Sequence, residues 1–343
     1  MVVLGAGQGT RMLSDQPKIL FPFLGVPTID RILQVCQQLN PQSLQLVVRY
    51  QSQQVIDHVS PIFPEVQFVL QDEIPGTGRA VDCAVTQLIE NEKCKIEKNS
   101  ETGSAPAAAD TTATTTDHSS KIDLGQLSSI AAPAFTRLGA LPLSRALIPQ
   151  IPTPRRQAAR VRPSFRANYV ESRKSPIDNR QTRAEFQNSE LNTDVVVVLG
   201  GDGPLITPDL ISELVDYHVR DQNEVSLRSV ELEDPRGYGR IVRDSAGNLV
   251  KIVEQKDGTP AELLIKEVNP SVWAFDLQFL VDNLPKVQNA NAKGEIYLTD
   301  LVAMAAKKQA YPYLDALRLS SFNTIEELHK LELQVKENYG RSY

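Results

Sequence analysis

Four consecutive valines and a leucine, Val195 to Leu199, run straight into Gly200-Gly201-Asp202-Gly203-Pro204. An apolar run of that length, stopped by turn residues, predicts a strand buried on both faces, the habit of strands inside a parallel sheet. Such a sheet needs helices on both sides, so the run requires β/α alternation elsewhere in the chain. The alternation is there. Val2–Leu4, Leu44–Val48 and Val66–Leu70 read as short apolar strands. Ile29–Leu39 has helical spacing in Ile29, Ile32, Leu33, Val35, Cys36 and Leu39, and Ala80–Ile89 is helical as well. Thr207-Pro208-Asp209 supplies an N-cap and a proline at the first helical position, opening a helix that runs to Arg220. Further on, Arg240–Val242 and Leu249–Glu254 around Ala246-Gly247-Asn248 predict a hairpin. Strands follow near Val272–Phe275 and Leu317–Leu319, and Thr324 to Glu327 form a capping box opening a last helix. The expected fold class is α/β, a doubly wound, mostly parallel sheet.

The middle of the chain breaks this pattern. From Asn99 to Ala134 it is mainly Ala, Thr, Ser and Asp, including Thr111-Thr112-Ala113-Thr114-Thr115-Thr116. From Arg137 to Arg183 it turns basic, with 11 Lys and Arg against 2 Asp and Glu, and prolines recur at Pro142, Pro149, Pro152, Pro154, Pro163 and Pro176. That composition buries too little apolar surface to offset its ordering entropy. One domain is therefore expected from residues 1–94 and 189–343, with 95–188 a long disordered insertion. The insertion reads as a solvated spacer, or alternatively as a contact for an anionic partner such as RNA or lipid.

Several classes fall away. A net charge of −6 argues against general nucleic-acid binding by the whole chain. No run approaches 18 apolar residues, which excludes a membrane-spanning helix, and the N-terminus lacks the basic and apolar regions of a standard secretory signal. Cys36, Cys83 and Cys94 make no disulfide framework and no C-x-x-C, so a reduced, cytoplasmic protein is expected. His58, His118, His218 and His329 form no metal or triad spacing, and no serine nucleophile elbow is present. Nothing requires a covalent intermediate.

Three segments carry chemistry. Leu4-Gly5-Ala6-Gly7-Gln8-Gly9-Thr10-Arg11-Met12, then Pro17-Lys18, puts glycines directly after a strand, where backbone N–H groups can meet phosphate. It is neither a P-loop, lacking G-K-[ST], nor the Rossmann fingerprint, since its third glycine comes one residue early. Arg11 and Lys18 add a bidentate fork and a point charge; the bland alternative is a tight turn with two solvated bases. Asp202 is a lone carboxylate at the carboxyl end of the buried strand, the place where ligands bind in open α/β sheets, and a natural Mg²⁺ ligand. Gly-Asp-Gly-Pro is equally good chemistry for an ordinary turn. In Gln71-Asp72-Glu73-Ile74-Pro75-Gly76-Thr77-Gly78-Arg79, the Gln71 amide offers a donor and an acceptor to one edge of a pyrimidine, and Gly76-Thr77-Gly78 lets backbone pass close to a flat ring. It also reads as a plain loop into the next helix.

Taken together with G-Y-G-R-I at Gly237, V-E-Q-K-D at Val253, Glu267-Val268-Asn269, G-E-x-Y-L-T-D at Gly294 and F-N-T-x-E-E-L at Phe322, these motifs stand in one order. In that order they resemble the sugar-1-phosphate nucleotidyltransferases, and within them the pyrophosphorylase half of the bifunctional bacterial enzymes that make UDP-N-acetylglucosamine, a peptidoglycan precursor. The resemblance spans about 1–90 and 191–340. It implies the nucleotide-diphospho-sugar transferase (Rossmann-like) fold and Mg²⁺-dependent transfer from UTP to N-acetylglucosamine-1-phosphate. By the same resemblance, Leu4, Gly5, Ala6 and Gly7 would hold uridine and phosphate, and Arg11 and Lys18 would neutralise the triphosphate. Gln71, Gly76 and Thr77 would read uracil. Gly200 and Gly201 would lie by the ribose, with Asp202 and Asn323 on the metal. Gly239, Glu254, Asn269 and Thr299 would hold the sugar. A relative using another sugar phosphate or nucleotide, or a weakly catalytic nucleotide-sugar-binding protein, are the alternatives.

The chain departs from that family pattern in places. Its first strand is short, which by the resemblance implies a late start; Gly5 replaces a usual alanine and Arg79 a usual histidine. Gly200 stands where a larger, often aromatic, residue is common, and Gly203 replaces a small apolar residue, which would loosen the loop around Asp202. Asn269 is followed by Pro270-Ser271 rather than Thr or Ser and then Gly, which would reshape the sugar pocket. No hexapeptide-repeat β-helix follows Asn323, so neither acetyltransferase activity nor a trimer built by such a helix is expected.

Overall fold

The computed structural model describes residues 1–7, 9–102 and 194–340. In chain order the elements are β1 (Val2–Leu4), β2 (Pro22–Phe23), β3 (Val26–Pro27), α1 (Thr28–Gln38), β4 (Gln45–Val48), α2 (Ser52–Val59), β5 (Gln67–Leu70) and α3 (Thr77–Thr102). After residue 193 come β6 (Val195–Gly200), α4 (Pro208–Arg220), β7 (Val225–Glu231), β8 (Gly239–Arg243), β9 (Leu249–Val253), β10 (Glu267–Asn269), β11 (Val272–Asp276), α5 (Leu277–Asn283), α6 (Leu301–Met304), β12 (Lys308–Pro312) and α7 (Ile325–Tyr339).

Strand side chains alternate between two cores. Val3, Leu46, Val48, Val197 and Leu199 join Ile29, Ile32 and Leu33 of α1 and Leu210, Ile211 and Leu214 of α4. Val2, Val47, Val196 and Val198 join Val81, Ala84 and Val85 of α3, Leu280 of α5 and Leu301 of α6. The valine run is thus buried on both faces and the sheet is doubly wound, as the sequence pattern requires.

The strand order is β5-β4-β1-β6-β11-β7-β10-β8-β9, with β12 beside β7. β5, β4, β1 and β6 are parallel, with Val3 opposite Leu46 and Leu199. β11 runs antiparallel between β6 and β7, β12 is parallel to β7, and β10 and β9 are antiparallel to their neighbours. β1, β4, β5, β6, β7, β8 and β12 therefore share one direction. The chain winds outward from β1 through β4 to β5, then returns to β6 on β1's other side. That reversal opens a crevice at the carboxyl ends of β1 and β6.

Three sequence expectations need amending. Leu317–Leu319 lies in a 3₁₀ turn, Ala316–Leu319, closed by local bonds from Arg318 N to Asp315 O and from Ser320 N to Leu317 O. The adjacent Arg318 and Leu319 are both buried, which a strand facing solvent on one side would not do. Thr207 precedes α4 but its side chain makes no cap: its Oγ1 is buried without a partner among the described residues. The helix placed at Ala80–Ile89 runs from Thr77 to Thr102, so the first residues of the supposed insertion are helical. Its remainder, 103–188, lies outside the described residues.

Candidate active site

The crevice is built by backbone meeting backbone. Gly5 N donates to Val47 O at 2.8 Å, and Gly201 N donates to Leu4 O at 2.9 Å, so the loops leaving β1 and β6 are stitched together. A Cβ on Gly201 would stand 2.5 Å from Leu4 O, and one on Gly5 2.8 Å from Ile19 Cδ1. A Cβ on Gly203 would meet Ile206 Cδ1 at 2.9 Å. The loop around Asp202 is therefore filled rather than loosened: its glycines sit where neighbouring groups already occupy the space.

Four polar side chains converge on this loop. Lys18 Nζ donates to Asp202 Oδ2 at 2.5 Å and to Asn323 Oδ1 at 3.1 Å, and Arg11 Nη2 donates to the same Asn323 oxygen at 2.8 Å. The Lys18 side chain is only 12% exposed and its ammonium lies 5.4 Å from the Phe322 ring centroid. An ammonium bridging a carboxylate and an amide oxygen marks a place suited to a cation. Among the described residues no three His, Cys, Asp or Glu side chains gather to hold a metal. One carboxylate and one amide oxygen are nonetheless a donor set that fits Mg²⁺, which completes its shell with water and phosphate oxygens.

At the end of β5, Gln71 is 8% exposed, and its Nε2 donates to Ile74 O at 2.9 Å and Gly76 O at 3.1 Å. Both amide protons are committed to the loop itself. Gly76 has φ +124°, and a Cβ there would overlap the Ile296 carbonyl. Gly78 N donates to Ile296 O, Ile296 N to Pro75 O, and Leu298 N to Thr77 Oγ1 at 3.1 Å. The close approach that the Gly-Thr-Gly segment permits is thus to residues 296–298 of the same chain. Arg79 does not line the crevice; it is paired with Asp72 and Asp82.

The far end is acidic. Thr299 Oγ1 donates to Glu254 Oε1 at 3.2 Å, and Gly239 lies against that carboxylate. Burial pushes the Glu254 carboxyl above the ordinary carboxylate range; the Thr299 hydrogen bond and the Lys293 charge pull it down, while Asp257 and Asp300 push it up. Asn269 Oδ1 accepts from Ser271 N at 2.9 Å, turning the chain between β10 and β11.

These groups share a cavity of about 630 Å³, within the range of small-molecule sites. Leu4, Gly5, Ala6, Gly7, Arg11, Lys18, Gln71, Gly76, Thr77, Gly200, Gly201, Asp202, Gly239, Glu254, Asn269, Thr299 and Asn323 all line it. Sequence reasoning missed Arg49, Lys293 and Ser321, which line the same cavity. Arg49 follows β4 directly and donates to Glu73 O at 2.7 Å; its position at a strand's carboxyl end was the available signal. Lys293 and Ser321 lie in irregular segments that carry no comparable mark.

Residues 1–235 match the family of MobA-like NTP transferase domains. The chain is 30% identical over 333 residues to a protein of Bifidobacterium animalis subsp. lactis named Bifunctional protein GlmU, covering 96% of this chain and 51% of that one. A protein of the same name from Paenarthrobacter aurescens is 30% identical over 305 residues, 89% of this chain and 42% of that one. The chain thus spans about half the length of the curated relatives it matches. Among solved structures, a UDP-glucose pyrophosphorylase complexed with UDP-glucose superposes with a TM-score of 0.53 at 9% identity, covering 98% of this chain and 97% of that one. At that identity the likeness is one of fold. No helix among the described residues is long and apolar enough to cross a membrane.

Proposed function

The chain belongs to the family of MobA-like NTP transferase domains, and from that premise we propose that it transfers uridylyl from UTP to N-acetylglucosamine-1-phosphate, releasing pyrophosphate. The observation that carries this reading is the convergence of Arg11, Lys18, Asp202 and Asn323 at the mouth of the β1 glycine loop. Two cations, one carboxylate and one amide oxygen meet where backbone N–H groups are also available. A polyphosphate needs that mixture, and few other ligands do.

A phosphate oxygen of the sugar 1-phosphate attacks the α-phosphorus in line; the new O–P bond forms as the bond to the β-phosphate oxygen breaks. The nucleophile is already an anion, so no general base is required. Leu4 to Gly7 hold the nucleotide by backbone. Gln71, its amide protons spent, reads the base through Oε1, and Arg11 and Lys18 stabilise the charge shifting onto pyrophosphate. Asp202 and Asn323 would hold Mg²⁺, whose charge when bound offsets that of the phosphates. For Asp202 to do so, the Lys18 ammonium must swing from the carboxylate toward the phosphates. Gly239, Glu254, Asn269 and Thr299 receive the sugar. Asn269 has turned its oxygen inward to Ser271 N, so its amide protons face the task.

The test is pyrophosphate release by the purified chain with UTP, Mg²⁺ and a panel of sugar 1-phosphates, with EDTA as control. Metal-dependent release, highest with N-acetylglucosamine-1-phosphate, is the expected result. Binding of a nucleotide sugar with no release from any donor and acceptor would replace the reading with a non-catalytic one.

A further inference from the structure

Resting on that reading, we propose that Ser271 is a specificity residue for the acceptor, its hydroxyl contacting the sugar 1-phosphate between Asp202 and Asn269, and that residue 200 is glycine because Ser271 fills the space a side chain there would take. Ser271 lines the cavity with φ +63°, a backbone conformation that glycine adopts freely and serine rarely. Strain of that kind persists only where the surroundings enforce it, and it gathers at functional sites. Here Ser271 N donates to Asn269 Oδ1 at 2.9 Å, and Ser271 O accepts from Gly200 N at 2.9 Å.

The fit to Gly200 is close. A Cβ on residue 200 would stand 3.2 Å from Ser271 Cβ, 3.6 Å from its Oγ and 3.0 Å from Asp202 Oδ1. Residues 200 and 271 therefore compete for one volume beside the carboxylate. Among the described residues the Ser271 hydroxyl takes no hydrogen-bond partner, although it can both donate and accept. Asp202 and Asn269, to which the proposed function gives the metal and the sugar, flank it, so an acceptor held between them would come within its reach.

Ser271→Ala keeps the Cβ and the strained backbone and deletes only the hydroxyl. It is expected to raise KM for the sugar 1-phosphate about tenfold while leaving KM for UTP within about twofold and the melting temperature unchanged. Gly200→Ala is expected to lower kcat/KM by about tenfold or more in the native background, and by clearly less relative to Ser271→Gly when introduced into that variant, where the contact to Ser271 is gone and only that to Asp202 Oδ1 remains. An acceptor KM unmoved by Ser271→Ala, or an equal cost of Gly200→Ala in both backgrounds, overturns the assignment. These outcomes are distinct from failure of the broader reading: if the native chain turns over no sugar 1-phosphate with any nucleoside triphosphate, both fall together.

Discussion

Lys18 is the side chain on which the site turns. Its ammonium bridges the two oxygens best suited to a divalent cation, so it occupies in the free protein the electrostatic position that a metal would take. Deleting either partner should therefore be costly. Asp202→Ala and Lys18→Ala are each expected to lower turnover by about 100-fold or more, the scale of losing one oriented charge stabiliser. Pyrophosphate release within about tenfold of native in both would remove these residues from the chemistry. A second residue-scale expectation concerns pH. Burial holds Glu254 above the ordinary carboxylate range, so it takes up its proton at higher pH than an exposed glutamate. If its carboxylate accepts sugar hydroxyls, acceptor affinity is full above that pKa and falls as pH drops through it. Thr299→Val removes a hydrogen bond that favours the charged form, so the fall should begin at higher pH while KM for UTP stays flat. Coincident acceptor-KM profiles for the two proteins would exclude Glu254 as the titrating group. The glycine loop with Arg11 and Lys18, Gln71 and Asp202 were legible in the sequence because glycines and polar groups at strand ends announce themselves; Gly239, Glu254, Asn269, Thr299 and Asn323 entered only through the resemblance. The commitments of its donors were not. That Gln71 spends both amide protons on its own loop, and Asn269 its oxygen on Ser271, depends on how segments fold back in space.

Elements show where pattern reading reaches its limit. β1, β4, β5, β6, β8, β9 and β11 were foreseeable because their apolar residues are contiguous or alternate. β7 was not: Val225-Ser226-Leu227-Arg228-Ser229-Val230-Glu231 buries Ser226, Arg228 and Ser229 alongside its apolar residues. Each polar group has a partner outside the strand, as with Arg228 Nη2, which donates to Leu210 O at 3.0 Å and Glu213 Oε2 at 2.6 Å. No local rule announces such a strand. β12, Lys308–Pro312, hides in the same way behind Lys308 and Gln309. One of these polar pairs makes a measurable prediction. His218 of α4 hydrogen-bonds Ser226 of β7 at 2.9 Å, and burial pushes the imidazole down to about 4. The folded chain holds it neutral while the unfolded chain, near 6.5, binds a proton first. Its contribution is therefore complete above pH 6.5 and is lost as pH falls from there toward 4, on the order of 3 kcal/mol in all. Urea midpoints measured across that window should decline in the native chain and decline less in His218→Gln. Parallel declines would show that the acid sensitivity lies elsewhere.

The molecule as a whole joins an early and a late segment of its chain at the site. Asn323, which meets Arg11 and Lys18, precedes α7, and α7 is fixed by a small third core of Met12, Phe23, Leu205, Phe322, Leu328, Leu331 and Val335. Leu24 N donates to Glu332 Oε1 at 2.6 Å, and Asn323 N donates to Glu327 Oε2 at 2.6 Å, tying the same helix to the loop after β2 and to its own entry. This core contains residues on both sides of the cation cluster, from the glycine loop at Met12 to the helix at Val335, so its integrity should set the alignment of Asn323 with Lys18. The consequence separates stability from function. Leu331 and Leu214 are both buried leucines, the first in this third core and the second in the core under α4, away from the cavity. Either leucine cut to alanine should destabilise the fold by about 2–5 kcal/mol. At a temperature where both variants remain folded, Leu331→Ala should also raise the Mg²⁺ concentration needed for half-maximal activity by at least about tenfold, because an ångström of drift in a positioned group is costly. Leu214→Ala should leave that concentration unchanged. Equal metal dependence in the two variants would mean that this core supports the fold without tuning the site, and that Asn323 is held by its own hydrogen bonds to Arg11, Lys18 and Glu327.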